Sequence, residues 1–320
     1  MNRLLLSLMT LCLLPLAQAQ TAFPSRPVTL VVGFAPGGGT DTVGRIIAKT
    51  LSENLGQQVV VENRAGAGGN IATDYVARAE PDGYTLLLGN VGSLAVAPHI
   101  LPKLSFRPLL DFAPVSMAVV FSNVLVVHPA VPAKTLEEFV KLSKAKPGSL
   151  TYGSSGIGGA GHLAGELLKI RADIDTIHVA YKGGGPAMLA VLSGEVNAIF
   201  GTPVSAGSQI KSTKVRALAT TGLKRDRLLP DVPTVAESGY PGFEAMNWYA
   251  FVVPAKTPKP VVDKLNQALV KSLNSPEVVD LLQKQGLDPS PSTPAELAVT
   301  MQREYDNWGK VIKQAGIRAE

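Results

Sequence analysis

Apolar positions along the chain fall into two patterns, short continuous runs and stripes of helical period, and the two alternate. Residues 28–34 form a continuous apolar run, as expected of a strand buried on both faces. Pro36-Gly37-Gly38-Gly39 breaks the run, and Thr40 is placed to cap a helix striped by Val43, Ile46, Ile47, Leu51 and Leu55. Gly56 stops that helix. Val59-Val60-Val61 reads as the next strand, 66–69 as a glycine loop, and Asn70 as the cap of a helix carrying Ile71, Tyr75, Val76 and Ala79. A Pro81-Asp82-Gly83 turn leads into a third strand over 84–88. Strand, helix, strand, helix, strand predicts a parallel, doubly wound sheet with right-handed crossovers.

The pattern loosens around Pro98, Pro102 and Pro108, and two apolar strands follow, 115–120 and 124–127, separated by Phe121-Ser122-Asn123. Thr135-Leu136-Glu137-Glu138 is a capping box. A second strand–helix series begins at Ser149-Leu150-Thr151-Tyr152, with its own glycine loop over 153–161 and a helix bearing Leu163, Leu167 and Leu168. Strands are expected near 177–180, 196–200, 215–219 and 248–253, and Pro186 suits the first turn of a helix. Pro260, Pro276 and the capping box Thr293-Pro294-Ala295-Glu296 open tail helices. The expected fold class is therefore α/β, with two lobes that are each a doubly wound, mostly parallel sheet. The strands near 115–127 and 247–253 are candidates for crossings between lobes, which would make a hinge with a cleft beside it.

Length and composition sharpen this picture. The 320 residues suit two compact lobes, and 46% hydrophobic residues exclude wholesale disorder. Residues 1–19 read as a cleaved secretory signal: Asn2-Arg3, an apolar core over 4–16, and Ala17-Gln18-Ala19 as the cut site. Its removal takes away Arg3 and the one cysteine, Cys12, leaving 29 Lys and Arg against 25 Asp and Glu. The exported chain then has no thiol, which excludes disulfides and cysteine metal sites. Its net charge of +4 is spread without a basic run, which argues against nucleic acid and leaves a small anion as a reasonable partner.

Candidate chemistry gathers at two glycine loops, each following a predicted strand and opening a helix. The first is Phe34-Ala35-Pro36-Gly37-Gly38-Gly39-Thr40-Asp41; the second includes Ser154, Ser155, Gly156 and Gly158. A helix N-terminus offers unpaired N–H groups and partial positive charge, a seat for an anion. The same glycines are also what tight strand–helix turns need. Asp41 fits a first-turn residue favoured by the helix dipole. Nucleotide motifs fail on spacing: Thr42 stands where the third glycine of G-x-G-x-x-G belongs, and neither loop continues as G-x-x-x-x-G-K-[ST]. The nucleophile elbow G-x-S-x-G is also broken, yet Ser154 or Ser155 with His162 leaves a secreted hydrolase as an alternative. No two histidines stand at metal-ligand spacing, and neither a metal nor a cofactor is expected. Asn90, Ser93 and Thr202 follow strands at edges where ligands sit, His162 early in the helix after the second loop is a candidate ligand contact, and Lys182 before a glycine triplet is a candidate source of positive potential at the cleft. The 63–69 segment is assigned to a peripheral strand and left out of the candidate site, and Trp248 is assigned to the core.

An ordered set of segments carries a resemblance. Phe23-Pro24-Ser25-Arg26-Pro27-Val28, the loop over 34–41, Glu62-Asn63-Arg64 with Gly66-Ala67-Gly68-Gly69-Asn70, and Pro81-Asp82-Gly83-Tyr84 come in sequence. Tyr181-Lys182-Gly183, Pro230-Asp231-Val232-Pro233-Thr234 and Pro254-Ala255-Lys256-Thr257-Pro258 continue it. Together they resemble the extracytoplasmic solute receptors of the tripartite tricarboxylate transporter family, the Bug receptors, over nearly the whole chain. The resemblance implies a two-lobed periplasmic-binding-protein fold (Venus flytrap, type II), with lobe 1 over 24–123 plus 251–320 and lobe 2 over 124–250. It implies that the loops over 34–41 and 153–158 hold one carboxylate of an organic anion. It also implies a monomer serving a membrane pair of one large and one small subunit, with ligand sensing for a membrane histidine kinase as an alternative role. The chain departs from many relatives at Ala190 and Asn197, where they carry acids, and at Phe121-Ser122-Asn123, where they carry a proline.

Overall fold

A computed structural model describes residues 23–101 and 103–317. The expected signal segment, 1–19, lies outside them. The chain folds as an α/β protein with two sheets. The first half lays down β1 (Val28–Val32), α1 (Gly39–Leu55), β2 (Val59–Asn63), α2 (Asn70–Ala77), β3 (Thr85–Asn90), α3 (Ala97–Ile100) and β4 (Phe112–Ser122). The chain then crosses and builds β5 (Val124–Val127), α4 (Leu136–Ala145), β6 (Leu150–Ser154), α5 (Ala160–Ala172), β7 (Thr176–Ala180), α6 (Gly184–Leu192), β8 (Ala198–Gly201), α7 (Pro203–Lys211) and β9 (Arg216–Thr220). It returns through β10 (Met246–Pro254), α8 (Lys259–Leu273), α9 (Pro276–Lys284), β11 (Asp288–Pro289) and α10 (Pro294–Ala315).

Strand order is β11-β4-β10-β3-β1-β2 in one sheet and β7-β6-β8-β5-β9 in the other. As expected, most strands of each sheet point one way, four of six in the first and four of five in the second, with antiparallel pairs where the chain crosses. Each sheet has a parallel trio, β2-β1-β3 or β7-β6-β8, extended by antiparallel strands. The cause is the double crossing: β10 and β5 each arrive from the other sheet and run against the trio they join. β10 pairs with β4 over Met246 to Pro254, so the whole strand belongs to the first sheet.

Alternation within the strands covers each sheet on both faces. Leu30 and Val32 pack with Val43, Ile47 and Leu51 of α1, while Val31 faces the opposite way with Ala72 and Val76 of α2. In β5, Val124 and Val126 turn toward α6 and Leu125 and Val127 toward α4 and α5. This is why these strands read as unbroken apolar runs.

Helix boundaries differ from the sequence reading at the glycine loops. Gly38, not Thr40, is the N-cap of α1, and Gly69, not Asn70, that of α2; neither supplies a side-chain cap. α6 starts at Gly184, ahead of Pro186. The caps at Thr135 and Thr293 and the stop at Gly56 stand where expected. No helix among the described residues is long and apolar enough to cross a membrane.

Candidate functional site

Four helices begin at one cleft between the two sheets. Gly38, Gly39 and Thr40 of α1, Ala160 and Gly161 of α5, Gly184 of α6 and Thr202 before α7 line a single pocket. Each helix follows a strand of a parallel trio, so the winding itself delivers the helix starts to one edge. The caps Gly38, Gly159 and Gly183 supply no side-chain hydrogen bond, which leaves the first-turn N–H groups of α1, α5 and α6 without that competitor. α7 is capped by Thr202, whose Oγ1 accepts from Ser205 N. Among the described residues, no charged side chain lines the pocket. Its positive character therefore comes from helix ends.

The walls touch. Ala35 N donates to Lys182 O across the cleft at 3.0 Å. A Cβ on Gly68 would run into the Ile157 carbonyl oxygen, and one on Gly156 would lie 2.7 Å from Gly68 N. Gly92 presses equally close to Gly158 O, at 2.6 Å from where its Cβ would stand. The pocket between these contacts has room for about one water molecule.

The candidate residues divide by where their side chains lie. Phe34, Asn90, Ser155 and Thr202 line the pocket with Gly38, Gly39 and Thr40. Pro36 and Gly37 lie against Gly185 of the facing wall. Asp41 does not line the pocket. Its Oδ2 accepts from Gly37 N at 3.0 Å, its Oδ1 from Asn63 Nδ2 at 2.9 Å, and Arg45 Nε donates to both oxygens. Burial pushes its carboxyl up, but Arg45, Gly37 and Asn63 together hold it below the usual carboxylate range. Asp41 thus fixes the first loop from behind. Asn90 Nδ2 reaches Gly68 O at 3.4 Å, and its Oδ1 accepts from Ser93 N at 2.8 Å, so Ser93 supports Asn90 rather than facing the pocket. Lys182 is exposed, and it is its backbone that bridges the walls.

The second loop is braced from inside its lobe. Ser154 is fully buried, and its Oγ accepts from Gly156 N at 3.1 Å. His162 Nδ1 accepts from Gly158 N at 3.1 Å. Ser154 Oγ pairs with His178 Nε2 at 2.7 Å, and the two histidine rings lie 4.3 Å apart. Burial, with the charges of His162 and Lys169, pushes His178 down to about 3, so its ring is neutral. The serine–histidine pair exists, but with His178 instead of His162 and with the hydroxyl sealed from any substrate. No group of three His, Cys, Asp or Glu side chains gathers as a metal would need among the described residues.

Several residues of the cleft escaped the sequence reading. Gly68 sits on the loop set aside as peripheral: β2 is indeed an edge strand, but the loop after it folds back under Asn90. Gly184 had its signal in the glycine triplet after β7. Tyr249, Asn123 and Asn247 come from the crossing strands, which carry no local motif. Burial keeps the Tyr249 phenol protonated, and its hydroxyl stands 2.9 Å from where a Gly39 Cβ would be. Asn123 and Asn247 meet at the crossing, Asn247 Nδ2 donating to Asn123 Oδ1 at 3.4 Å. Trp248 beside them is buried in the core, as expected.

Residues 43–317 match the family model described as tripartite tricarboxylate transporter family receptor. A protein from Pseudomonas sp. (strain P51), described as the UPF0065 protein in the tcbD-tcbE intergenic region, is 40% identical over 304 residues, 95% of this chain and 90% of its own. The structure of periplasmic binding protein BugD superposes with a TM-score of 0.90 at 36% identity, covering 93% of this chain and 100% of that one. R. palustris Rpa4515, solved with adipate, superposes at 0.89 and 35% identity, covering 92% and 99%.

Proposed function

Because the chain belongs to the family of tripartite tricarboxylate transporter receptors, we propose that it is a periplasmic receptor that captures a small organic carboxylate and delivers it to large and small membrane subunits. The observation that supports this reading is the meeting of the α1 and α5 starts, one from each lobe, at one pocket without charged side chains. A carboxylate there takes its hydrogen bonds from backbone N–H groups and hydroxyls. Each charge-assisted bond contributes about 1.5–3 kcal/mol, and a few suffice for micromolar binding, about −8 kcal/mol. The touching walls leave no passage for a carboxylate and the pocket holds about one water molecule, so capture requires the lobes to part and to close on the ligand around a wider pocket than this one. The 35% identical relative solved with adipate supports the carboxylate class.

The leader over 1–19 is removed on export in this reading, and the receptor acts as a monomer without catalysis. Lobe 1 runs to the crossing at Asn123 and resumes with β10. The test is a thermal-shift screen with mono-, di-, tri- and aromatic carboxylates, set against sugars and organic cations. A micromolar carboxylate at 100 times its Kd adds about 2.7 kcal/mol of stability. No shift with any carboxylate, beside a clear one with a sugar or a cation, overturns the reading.

A further inference from the structure

The amides of Asn123 and Asn247 line the pocket where the two crossing strands pass. Asn123 is 1% exposed and Asn247 6%. Their mutual hydrogen bond uses one donor and one acceptor. Asn123 Nδ2 and Asn247 Oδ1 have no partner among the described residues, although both are buried. A buried amide left unpaired is costly, so a pair of them beside a pocket points to a group that completes them. Exchanging O and N in both amides leaves the same offer: one donor and one acceptor, side by side.

The surroundings fix the charge of that group. Arg45 is committed to Asp41, and Lys182 is exposed and outside the lining. No lining side chain would compensate a second carboxylate, and no lining acid would compensate an ammonium. The helix starts are the pocket's source of positive field and the seat for a carboxylate.

Resting on the carboxylate reading above, we propose that this receptor takes a monoanion: a carboxylate at one end and a neutral group that both donates and accepts, a carboxamide or a hydroxyl, at the other. Asn123 and Asn247 are its specificity residues. A carboxamide matches them at two points, its oxygen accepting from one amide and its N–H donating to the other. A dicarboxylate of the same length leaves Asn247 Oδ1 facing an oxygen anion.

The test compares isosteric probes by calorimetry on the folded protein: succinate with succinamate, glutarate with glutaramate, adipate with adipamate, and butyrate through hexanoate as acids without a distal polar group. Expected is a monoamide or an ω-hydroxy acid of one length binding at least about tenfold tighter than its diacid and its alkyl acid. The preference is lost in Asn247→Leu and moves toward the ω-amino acid in Asn247→Asp. A diacid or alkyl acid that binds as tightly as the monoamide overturns this inference and leaves the carboxylate reading intact. A preference that survives Asn247→Leu removes the assignment to the asparagine pair. If no probe acid binds, this inference falls, and the wider carboxylate screen alone decides the carboxylate reading. The wild-type comparison decides the ligand class even if a variant does not fold.

Discussion

Gly68 and Ile157 meet across the cleft backbone to backbone, with no space at Gly68 for even a methyl group. The contact joins a loop of the first sheet to a loop of the second, so it exists only when the lobes are together. Gly68 also holds φ 65, where a side chain costs about 1–2 kcal/mol. Gly68→Ala is therefore expected to lower the stability of the ligand-free protein by about that amount. It is expected to weaken binding of the best carboxylate at least tenfold, because the closed form is blocked. Small-angle scattering with saturating carboxylate should show the variant more extended than the wild type; equal compaction at equal affinity would mean that this contact does not limit closure.

Asp41 joins the first glycine loop to α1 and β2 through Gly37, Arg45 and Asn63. Asp41→Asn keeps the size but loses the charge, and is expected to cost about 1–3 kcal/mol in urea unfolding. Its carboxyl lies below the usual range in the fold. Its stabilisation is thus fully present above the unfolded value near 4 and is lost as pH falls through the lower folded value. Between pH 5 and pH 2 the wild type should lose more stability than the variant. Parallel curves would show that the Asp41 charge does not hold the loop.

His178 has a linkage of the same sign in a higher pH range. It stays neutral in the fold down to about 3, whereas an unfolded histidine takes a proton near 6.5. Below that pH the unfolded chain binds the extra proton, so stability falls as pH drops from 6.5 toward 3, by at most about 1.4 kcal/mol per unit. His178→Gln is expected to flatten this slope between pH 7 and 5, whatever its baseline stability. An unchanged slope in urea titrations would assign the acid sensitivity elsewhere.

Thr221 ties both crossings together. Its N–H donates to Asn123 O and its Oγ1 accepts from Asn123 N, both at 2.9 Å. The same hydroxyl donates to Ala245 O at 2.8 Å, and Ala245 N returns a bond to Thr221 O. Thr221 is fully buried. Thr221→Val keeps the shape and strands two buried backbone groups, for an expected loss of about 1–3 kcal/mol. Because those groups belong to the hinge, amide exchange should quicken at Asn123 and Ala245 ahead of the sheet interiors. Uniform acceleration would make Thr221 an ordinary core residue.

The parallel trios and their helices were legible because period and punctuation are local: 28–32 is apolar but for Thr29, Gly56 is a stop, and Thr293 begins a capping box. The two glycine loops that open α1 and α5 were legible for the same reason. Asn123 and Asn247 were not, since they become neighbours only when strands 124 residues apart pair. Gly68 was misjudged because edge position in a sheet says nothing of where the following loop goes. Asp41, Ser154 and His162 sit in the correct loops, but which way a side chain turns depends on partners such as Asn63 and His178 from other strands.

The order β4-β10-β3 has a consequence for how this molecule comes into being. β10 is the interior plank of the first sheet, and it is made only after the whole second sheet. As the chain emerges N-terminus first, β1, β2 and β3 can associate, but β4 has no neighbour among them and must wait. About 120 residues separate the end of β4 from β10, so the last step of assembly is an insertion with large sequence separation, which slows folding. Until then the flanks of β3 and β4 stand open to pairing with other chains. A C-terminal truncation before Met246 would leave a second lobe that is topologically whole attached to a first lobe that is not.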